Sequence, residues 1–185
     1  MLILVSGPSG VGKNSVISEL MRRNPNLEFM KTCTTRASRA ENDDSYYHIS
    51  KEEFDKMIAN NQLFEYENVH ADLFYGTPFA SLEKVIEGKK DYIKDIDVHG
   101  VKKIKDYLKG KAPLVTIFLD SPNNVLRQRL QGRGESPEMI EKRISRIEME
   151  RGFKNLYDLT LENKDIRETA SAIEQFCSTL KCDKN

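Results

Sequence analysis

The residues Leu2–Ser15, LILVSGPSGVGKNS, carry the strongest structural signal in the chain. Leu2–Ser6 is a short apolar run that stops at Gly7, as expected for a strand buried on both faces. Beyond the glycines, Val16, Ile17 and Leu20 recur at helical spacing until Asn24-Pro25 ends the pattern. A strand, a glycine-rich turn and a helix therefore follow one another at the start of the chain.

The turn itself reads G-x-x-x-x-G-K, which in this strand-to-helix context is a phosphate-binding loop. Its glycines let backbone N–H groups converge on phosphate oxygens, the helix N-terminus adds partial positive charge, and Lys13 reaches the β- and γ-phosphates. A chance match in a glycine-rich turn is the competing interpretation, and the flanking strand and helix disfavour it. The predicted ATP-binding residues of this segment are Gly7, Pro8, Ser9, Gly10, Val11, Gly12, Lys13, Asn14 and Ser15.

The residue after the lysine departs from the motif. A Ser or Thr hydroxyl normally holds Mg²⁺ at that place, and this chain has Asn14, with Ser15 one place later. We therefore take Ser15 as the candidate metal ligand, with Mg²⁺ otherwise held by phosphates and water. Asn14 can donate to phosphate or coordinate through its amide oxygen, and the sequence leaves both open.

Composition excludes several classes of protein. The 185 residues suit one domain, and 29 basic against 29 acidic residues give no net charge. A general binder of nucleic acid or of an anionic membrane would need a basic excess. No apolar run approaches the ~20 residues of a membrane span, the N-terminus lacks the pattern of a signal peptide, and three cysteines are too few for a disulfide framework. We expect a cytoplasmic protein with no nucleic-acid or membrane partner.

Apolar runs alternate with amphipathic stretches along the chain, which indicates a parallel sheet with helices on both faces. Leu27–Cys33, Tyr92–Asp97 and Leu114–Leu119 are predicted strands of the core, and the last helix is predicted to begin near Ile166. Residues 34–45 are polar and predicted to form an exposed loop. Leu63–Val69 and Leu73–Tyr75 are predicted to form a small antiparallel lobe beside it.

Helix starts are marked by two kinds of signal. Ser50 and Glu53 form a capping box. A Ser or Thr followed by Pro also occurs three times, and each pair is predicted to supply an N-cap oxygen and a proline at the first helical position. These pairs are Thr77-Pro78, Ser121-Pro122 and Ser136-Pro137.

A second anion site is suggested by Thr34-Thr35-Arg36-Ala37-Ser38-Arg39. Two arginines three residues apart suit bidentate contact with one phosphate, and Tyr47 and Tyr75 can offer phenolic hydroxyls to the same anion. The alternative is that these arginines pair with nearby acidic residues on a solvated loop, since surface ion pairs are common.

Carboxylates follow the predicted strand at Tyr92–Asp97. Asp95 and Asp97 would lie on one face at its carboxyl end, where acidic side chains beside a phosphate loop orient Mg²⁺ or its waters. A helix cap is the structural alternative for Asp97 and is compatible with that role. Lys94 is unexpected, because a lysine inside a central strand must find a partner or reach solvent.

The order of motifs resembles the guanylate kinase family over roughly residues 2–175. The shared motifs are the phosphate loop, T-T-R-x-x-R at 34–39, F-E-Y at 64–66, F-Y-G-T at 74–77, D-I-D-V-x-G at 95–100, R-L-x-G-R-G at 129–134 and K-R at 142–143. The resemblance implies an α/β fold with a P-loop NTPase-type parallel sheet core flanked by helices, a small mixed β GMP-binding lobe and a helical lid.

The implied domain is single, spanning residues 1–185. Its core comprises residues 1–32, 78–125 and 156–185, with the GMP-binding lobe at 33–77 and the lid at 126–155. The implied function is ATP-dependent phosphorylation of GMP, and of dGMP, to GDP in purine nucleotide metabolism. The implied partners are ATP and GMP, the cofactor is Mg²⁺, and the chain is expected to be a monomer or homodimer.

The resemblance also assigns site residues. Thr32 and Glu65 are expected to read the guanine base, because a carboxylate can accept from N1–H and the exocyclic amine of guanine together. The lid arginines of the family clamp ATP phosphates through positions that match Arg133 and Arg143, and closure excludes water. The remaining GMP-binding candidates are Arg36, Arg39, Tyr47, Tyr75, Thr77, Asp95 and Asp97, the further ATP-binding candidates are Arg129 and Asn163, and the catalytic set is Lys13, Arg36, Arg133 and Arg143.

Three features limit or compete with this interpretation. Guanylate kinases place an apolar residue where this chain has Lys94, and the 34–45 and 71–74 segments differ in length from the family pattern. A kinase for another phosphorylated acceptor therefore stays open. So does a non-catalytic phosphopeptide-binding module of the same fold, although such modules typically lose the lysine and lid arginines that are present here. None of the three histidines is assigned to catalysis.

Overall fold

The computed structural model describes residues 1–38, 46–70 and 73–182. Five parallel strands form a sheet in the order β2-β7-β1-β8-β9, and helices flank it. A second, four-stranded sheet has the order β4-β3-β6-β5 and is mixed, because β3 pairs in parallel with β4 and antiparallel with β6. The predicted α/β class with a parallel core and a small mixed lobe is confirmed.

The strands and helices have the following bounds. The strands are β1 (Leu2–Ser6), β2 (Leu27–Phe29), β3 (Thr32–Thr34), β4 (Tyr46–His48), β5 (Leu63–His70), β6 (Leu73–Pro78), β7 (Asp91–Asp95), β8 (Leu114–Asp120) and β9 (Leu159–Glu162). The helices are α1 (Lys13–Arg23), α2 (Lys51–Ala59), α3 (Phe79–Glu87), α4 (Val98–Leu108), α5 (Asn123–Gln131), α6 (Pro137–Arg151) and α7 (Ile166–Cys182), with a short 3-10 helix at Lys154–Leu156.

Strand β1 lies at the centre of the parallel sheet, between β7 and β8, and all five of its residues are buried. Its side chains alternate between two apolar clusters. Ile3 and Val5 pack with α1 and α7, whereas Leu2 and Leu4 pack with α3 and α4. Because all strands run the same way, the loops after β1, β7 and β8 meet at one edge of the sheet, which is where ligands bind in such folds.

Two predicted strands end differently from the sequence pattern. Leu27–Cys33 is not one strand: β2 ends at Phe29 and β3 begins at Thr32, so the segment passes from one sheet to the other. The strand predicted at Tyr92–Asp97 ends at Asp95. Asp97 instead caps α4, since its Oδ1 accepts hydrogen bonds from the N–H groups of His99 and Gly100 at 2.7 and 2.8 Å.

The predicted Ser50–Glu53 capping box is confirmed, and one of the three Ser/Thr-Pro caps is confirmed. Ser136 accepts from the N–H of Met139 at the start of α6. The other two predictions are wrong, because Pro78 and Pro122 are the N-cap residues of α3 and α5 and no side chain caps either helix. The hydroxyls of Thr77 and Ser121 make their hydrogen bonds in the site described below.

None of the helices in the described ranges is both long and apolar enough to cross a membrane.

Candidate active site

The phosphate loop closes tightly over the end of β8. Gly7, Gly10 and Gly12 have φ angles of 139°, 86° and 98°, which L-residues with a side chain rarely adopt. A Cβ at Gly7 would lie 2.1 Å from the carbonyl oxygen of Leu119. The loop therefore needs glycine at Gly7 for close approach as well as for backbone freedom.

Lys13 begins α1 and its ammonium lies inside the loop. Its Nζ donates to the carbonyl oxygens of Gly7 and Pro8 at 2.6 and 3.3 Å. Burial lowers the pKa of Lys13, and the positive charges of Arg133 and Arg143 lower it further, whereas Asp95 and Glu150 oppose the shift. The structure thus brings both predicted lid arginines close enough to the lysine to act on its charge.

Two predicted ATP-binding residues support the loop from behind. Arg129 donates to the carbonyl oxygen of Val11 at 3.0 Å and to the Ser121 hydroxyl at 3.3 Å. Asn163, 2% exposed, donates from Nδ2 to the same Val11 oxygen at 2.7 Å and accepts from Thr169 through Oδ1. Both side chains hold the loop in position, and their direct contact with ATP stays a prediction.

A cavity of about 610 Å³ opens between the phosphate loop and the second sheet. It joins the two predicted nucleotide sites, because its wall includes loop residues and lobe residues together. The lining residues predicted from sequence are Gly7, Ser9, Lys13, Thr32, Glu65, Tyr75, Thr77, Asp95 and Asp97. The predicted donor and acceptor sites therefore face one another across a single space.

Polar side chains from four strands form the end of the cavity away from the phosphate loop. Glu65 of β5 lies opposite Thr77 of β6 in the antiparallel register, and the Thr77 hydroxyl lies 3.3 Å from Glu65 Oε1. Lys94 of β7 donates from Nζ to the same hydroxyl at 3.2 Å. Thr32 of β3 also lines this end and is buried. Such a set of donors and acceptors can read the edge of a purine base.

Of the two tyrosines predicted from sequence, Tyr75 lines the cavity and Tyr47 does not. Tyr47 is 39% exposed, and its ring lies 5.7 Å from Lys31 Nζ outside the cavity. Tyr46 lines the cavity instead, with its ring 5.7 Å from that of Tyr75 and 5.3 Å from the guanidinium of Arg36. Alternation along β4 places the two tyrosines on opposite faces. The three residues of β4 show too little periodicity for the sequence to indicate which tyrosine faces the cavity.

Arg36 follows β3 and is held by its backbone. Its N–H donates to Thr34 Oγ1 at 3.1 Å, and its carbonyl oxygen lies 2.7 Å from His48 Nδ1. Its predicted partner Arg39 lies outside the described residues, so the paired contact with one phosphate stays a prediction.

Helix α6, which lies within the segment predicted to form the lid, contributes three charged residues near the loop. Arg143 donates from Nη1 to the Ser9 hydroxyl at 2.9 Å and from Nε to Glu135 at 2.6 Å. Arg146 and Glu150 line the cavity. Neither residue is among the candidates predicted from sequence. Their spacing from Arg143, at three and seven residues, was the available signal, because these positions share one face of a helix.

The candidate metal ligand Ser15 lies elsewhere. It is exposed and lines a separate groove with Ser18, Arg22 and residues 165–167. In the described ranges no group of three or more His, Cys, Asp or Glu side chains is placed to hold a metal ion. Asp95, which lines the cavity and acts on the charge of Lys13, is better placed than Ser15 to orient a hydrated ion carried by phosphates.

Comparison with known proteins identifies the family. The family model for guanylate kinase matches residues 1–180. A guanylate kinase of Porphyromonas gingivalis is 40% identical over 184 residues, covering 95% of this chain and 97% of the relative, and one of Mycoplasmoides gallisepticum is 37% identical, covering 95% and 90%. The crystal structure of guanylate kinase from Anaplasma phagocytophilum has a TM-score of 0.72 at 27% identity, covering 97% of this chain and 84% of that one. Because the family model matches residues 1–180 and the relatives are similar over nearly the full chain, the chain belongs to the guanylate kinase family.

Proposed function

We propose that this chain transfers the γ-phosphoryl group of ATP to GMP, forming ADP and GDP. The observation that carries the proposal is the single cavity that has phosphate-loop residues on one side and Thr32, Glu65 and Thr77 on the other. Direct transfer needs both nucleotides in one water-poor space with their phosphates adjacent. In this proposal residues 33–77 form the acceptor lobe, residues 126–155 form the lid, and the remainder forms the core.

The donor side holds ATP by geometry and charge. The loop N–H groups and the N-terminus of α1 bind the phosphates. Without ATP, Lys13 donates to carbonyl oxygens of the loop. When ATP binds, Lys13 donates to phosphate oxygens instead. Arg143 donates to the Ser9 hydroxyl within the loop, so this arginine lies beside the place where the transferred group would bind. Fixed cations around that group stabilise the charge of the transition state.

The acceptor side places the attacking oxygen. Arg36, Arg39 and the tyrosines at the cavity bind the GMP phosphate, while Glu65 accepts from the N1–H and amine of guanine. An oxygen of the GMP phosphate then attacks the γ-phosphorus as the bond to the ADP oxygen breaks, so no side chain becomes covalently modified. Base recognition at one end of the cavity therefore sets the position of the nucleophile at the other.

In this proposal Mg²⁺ would be held mainly by the ATP phosphates, and it would supply positive charge against their negative oxygens. Among the described residues, Asp95 suits contact with its water ligands, because its carboxylate lines the cavity near Lys13. Asn14 and Ser15 are both exposed, which favours phosphate or solvent contact over direct ligation of the ion.

The proposal is tested by a coupled assay of ADP formation with ATP, Mg²⁺ and each of GMP, dGMP, AMP, CMP and UMP. We expect turnover with GMP and dGMP and little with the others. Preference for another monophosphate would mean that the acceptor is not GMP, whereas the proposed phosphoryl transfer from ATP would stand. Absence of turnover with all five, together with binding of a phosphopeptide, would favour the non-catalytic module, which the presence of Lys13, Arg133 and Arg143 argues against.

A further inference from the structure

Lys94 has a position that the proposed reaction does not explain. It lies on β7, beside Leu4 of the central strand, and is 6% exposed. Burial of an ammonium group is costly unless the group is paired and hydrogen-bonded. Its Nζ donates to the Thr77 hydroxyl at 3.2 Å, at the acceptor end of the cavity. A central strand with an apolar residue here would fold without that cost.

The chemistry of the three groups fixes the direction of their hydrogen bonds. An ammonium group can only donate, an ionised carboxylate can only accept, and a hydroxyl has one proton. The Thr77 oxygen lies 3.2 Å from Lys94 Nζ and 3.3 Å from Glu65 Oε1. Thr77 must therefore accept from Lys94 and turn its own proton toward Glu65. Lys94 thus makes the Thr77 hydroxyl a donor on the cavity side.

Several charged groups face Lys94 from the elements around it. Asp95 is its neighbour on β7, Glu65 lies on β5 and Asp97 lies at the start of α4. The Cys33 thiol of β3 is also close enough to act on it. Burial lowers the pKa of Lys94 to about 8, although all four neighbours oppose the shift. The hydrogen-bond direction at Thr77 therefore depends on a charge that is lost in mildly alkaline solution.

We propose that Lys94 is a positioning residue that fixes the Thr77 hydroxyl as a hydrogen-bond donor and thereby favours an acceptor base with a carbonyl oxygen beside its ring N–H. Guanine and hypoxanthine carry that pair, whereas adenine presents an amino group and an unprotonated ring nitrogen. When the base supplies donors to Glu65, the Thr77 proton turns from the carboxylate to the carbonyl oxygen. This inference rests on the proposed function and adds a specificity element to it.

The test uses the full chain and begins with wild-type turnover of GMP and of inosine monophosphate. Lys94→Met and Thr77→Val are compared with it, with Lys109→Met, an exposed lysine at the end of α4, as the matched control. We expect Lys94→Met to raise KM about tenfold for both nucleotides, as expected for loss of one charge-assisted hydrogen bond, with a much smaller change in kcat. The Lys94→Met, Thr77→Val double variant should be no worse than Thr77→Val alone.

A pH profile separates positioning from a merely structural role. Because Lys94 loses its proton near pH 8, we expect the wild-type KM for both nucleotides to rise between pH 7 and pH 9 more than in Lys94→Met or Thr77→Val. If Lys94→Met fails to fold, the wild-type and Thr77→Val profiles still decide the point. Equal pH profiles of KM for wild type and Thr77→Val would overturn the inference. A rise in KM for GMP but not for inosine monophosphate would also overturn it, because that difference would come from the exocyclic amine and its contact with Glu65.

The two proposals fail in different ways. Absence of GMP turnover in the wild-type protein would overturn the proposed function and, with it, this inference. Normal GMP turnover with kinetics unchanged in Lys94→Met would overturn the role of Lys94 alone.

Discussion

Lys13 carries the donor half of the proposed reaction, and its charge can be removed without disturbing the core. Its ammonium donates to the carbonyl oxygens of Gly7 and Pro8 in the loop. We expect Lys13→Met to lower kcat by at least about a hundredfold, the scale for loss of one group aimed at transition-state charge. Far-UV circular dichroism and the melting temperature should stay near the wild-type values. Turnover within a few-fold of wild type would contradict the role.

In the proposed reaction, Glu65 recognises the guanine base of the acceptor nucleotide. A glutamine there keeps the size but offers an amide N–H₂ where guanine presents its own donors. We therefore expect Glu65→Gln to raise the KM for GMP by about tenfold to a hundredfold, from one lost charged hydrogen bond and one unsatisfied donor, with the KM for ATP little changed. Glu67→Gln, two residues along the same face of β5, is the matched comparison and should change KM less. Equal effects of the two variants would contradict base reading by Glu65.

Some residue-level predictions could be made from sequence and some could not. The phosphate loop is local, so its role follows from one contiguous stretch. Lys94 was recognisable as anomalous, but its partner Thr77 lies 17 residues away on another sheet, which no spacing rule indicates. Tyr46 and Tyr47 differ only in the face of β4 that they occupy, and a three-residue strand gives too little periodicity to tell them apart.

Among the helices and strands, the Ser-Pro pairs show how one local pattern serves two purposes. Ser136 caps α6, as the pattern predicts. Ser121 does not cap α5, because its hydroxyl donates to the Asn163 carbonyl oxygen at 3.2 Å and accepts from Arg129 at 3.3 Å. Tertiary partners behind the phosphate loop thus outcompete the cap. The Ser136 hydroxyl accepts from the N–H of Met139 at 3.3 Å, which is the capping bond itself.

We expect Ser121→Ala and Ser136→Ala to differ in kinetics more than in stability. Each removes one hydroxyl, and each should lower the free energy of unfolding by about 1 kcal/mol, since lost caps and lost buried hydrogen bonds have similar costs. Ser121→Ala should also raise the KM for ATP, because Arg129 holds the Val11 carbonyl of the loop. Denaturant titration and initial rates measure the two effects. A larger KM change in Ser136→Ala would contradict this assignment.

The parallel core was predictable because buried strands and amphipathic helices have distinct periods. The predicted strand boundaries were wrong where the chain passes from one sheet to the other. β2 and β3 are three residues each, and the continuous pattern over Leu27–Cys33 hides the break between them. β9 is an edge strand of four residues that alternates between half-buried and exposed positions, so it lacks the apolar run that marked the central strands.

At the level of the entire fold, the cavity lowers the stability of the protein, because the ammonium group of Lys94 is buried beside the core. Lys94 has a pKa of about 8 in the folded protein against an ordinary value of 10.5. The unfolded chain therefore binds the proton more tightly, and stability rises with pH once the folded protein starts to lose it. Burial raises the pKa of Cys33 to about 11 from 9.0, which has the opposite effect above pH 9. The contribution of Lys94 is thus most visible between about pH 8 and pH 9.

We expect the free energy of unfolding of the wild-type chain to increase over that interval relative to Lys94→Met by about 1 kcal/mol, within the limit of about 1.4 kcal/mol for one proton over one pH unit. Urea titrations of both proteins at pH 7, 8 and 9 measure the difference. Lys94→Met should be the more stable of the two at pH 7, because no buried ammonium remains, while its KM for GMP is the poorer. A wild-type chain that is the more stable at pH 7 would show that Lys94 holds the lobe and core together instead of serving the acceptor site at a cost in stability.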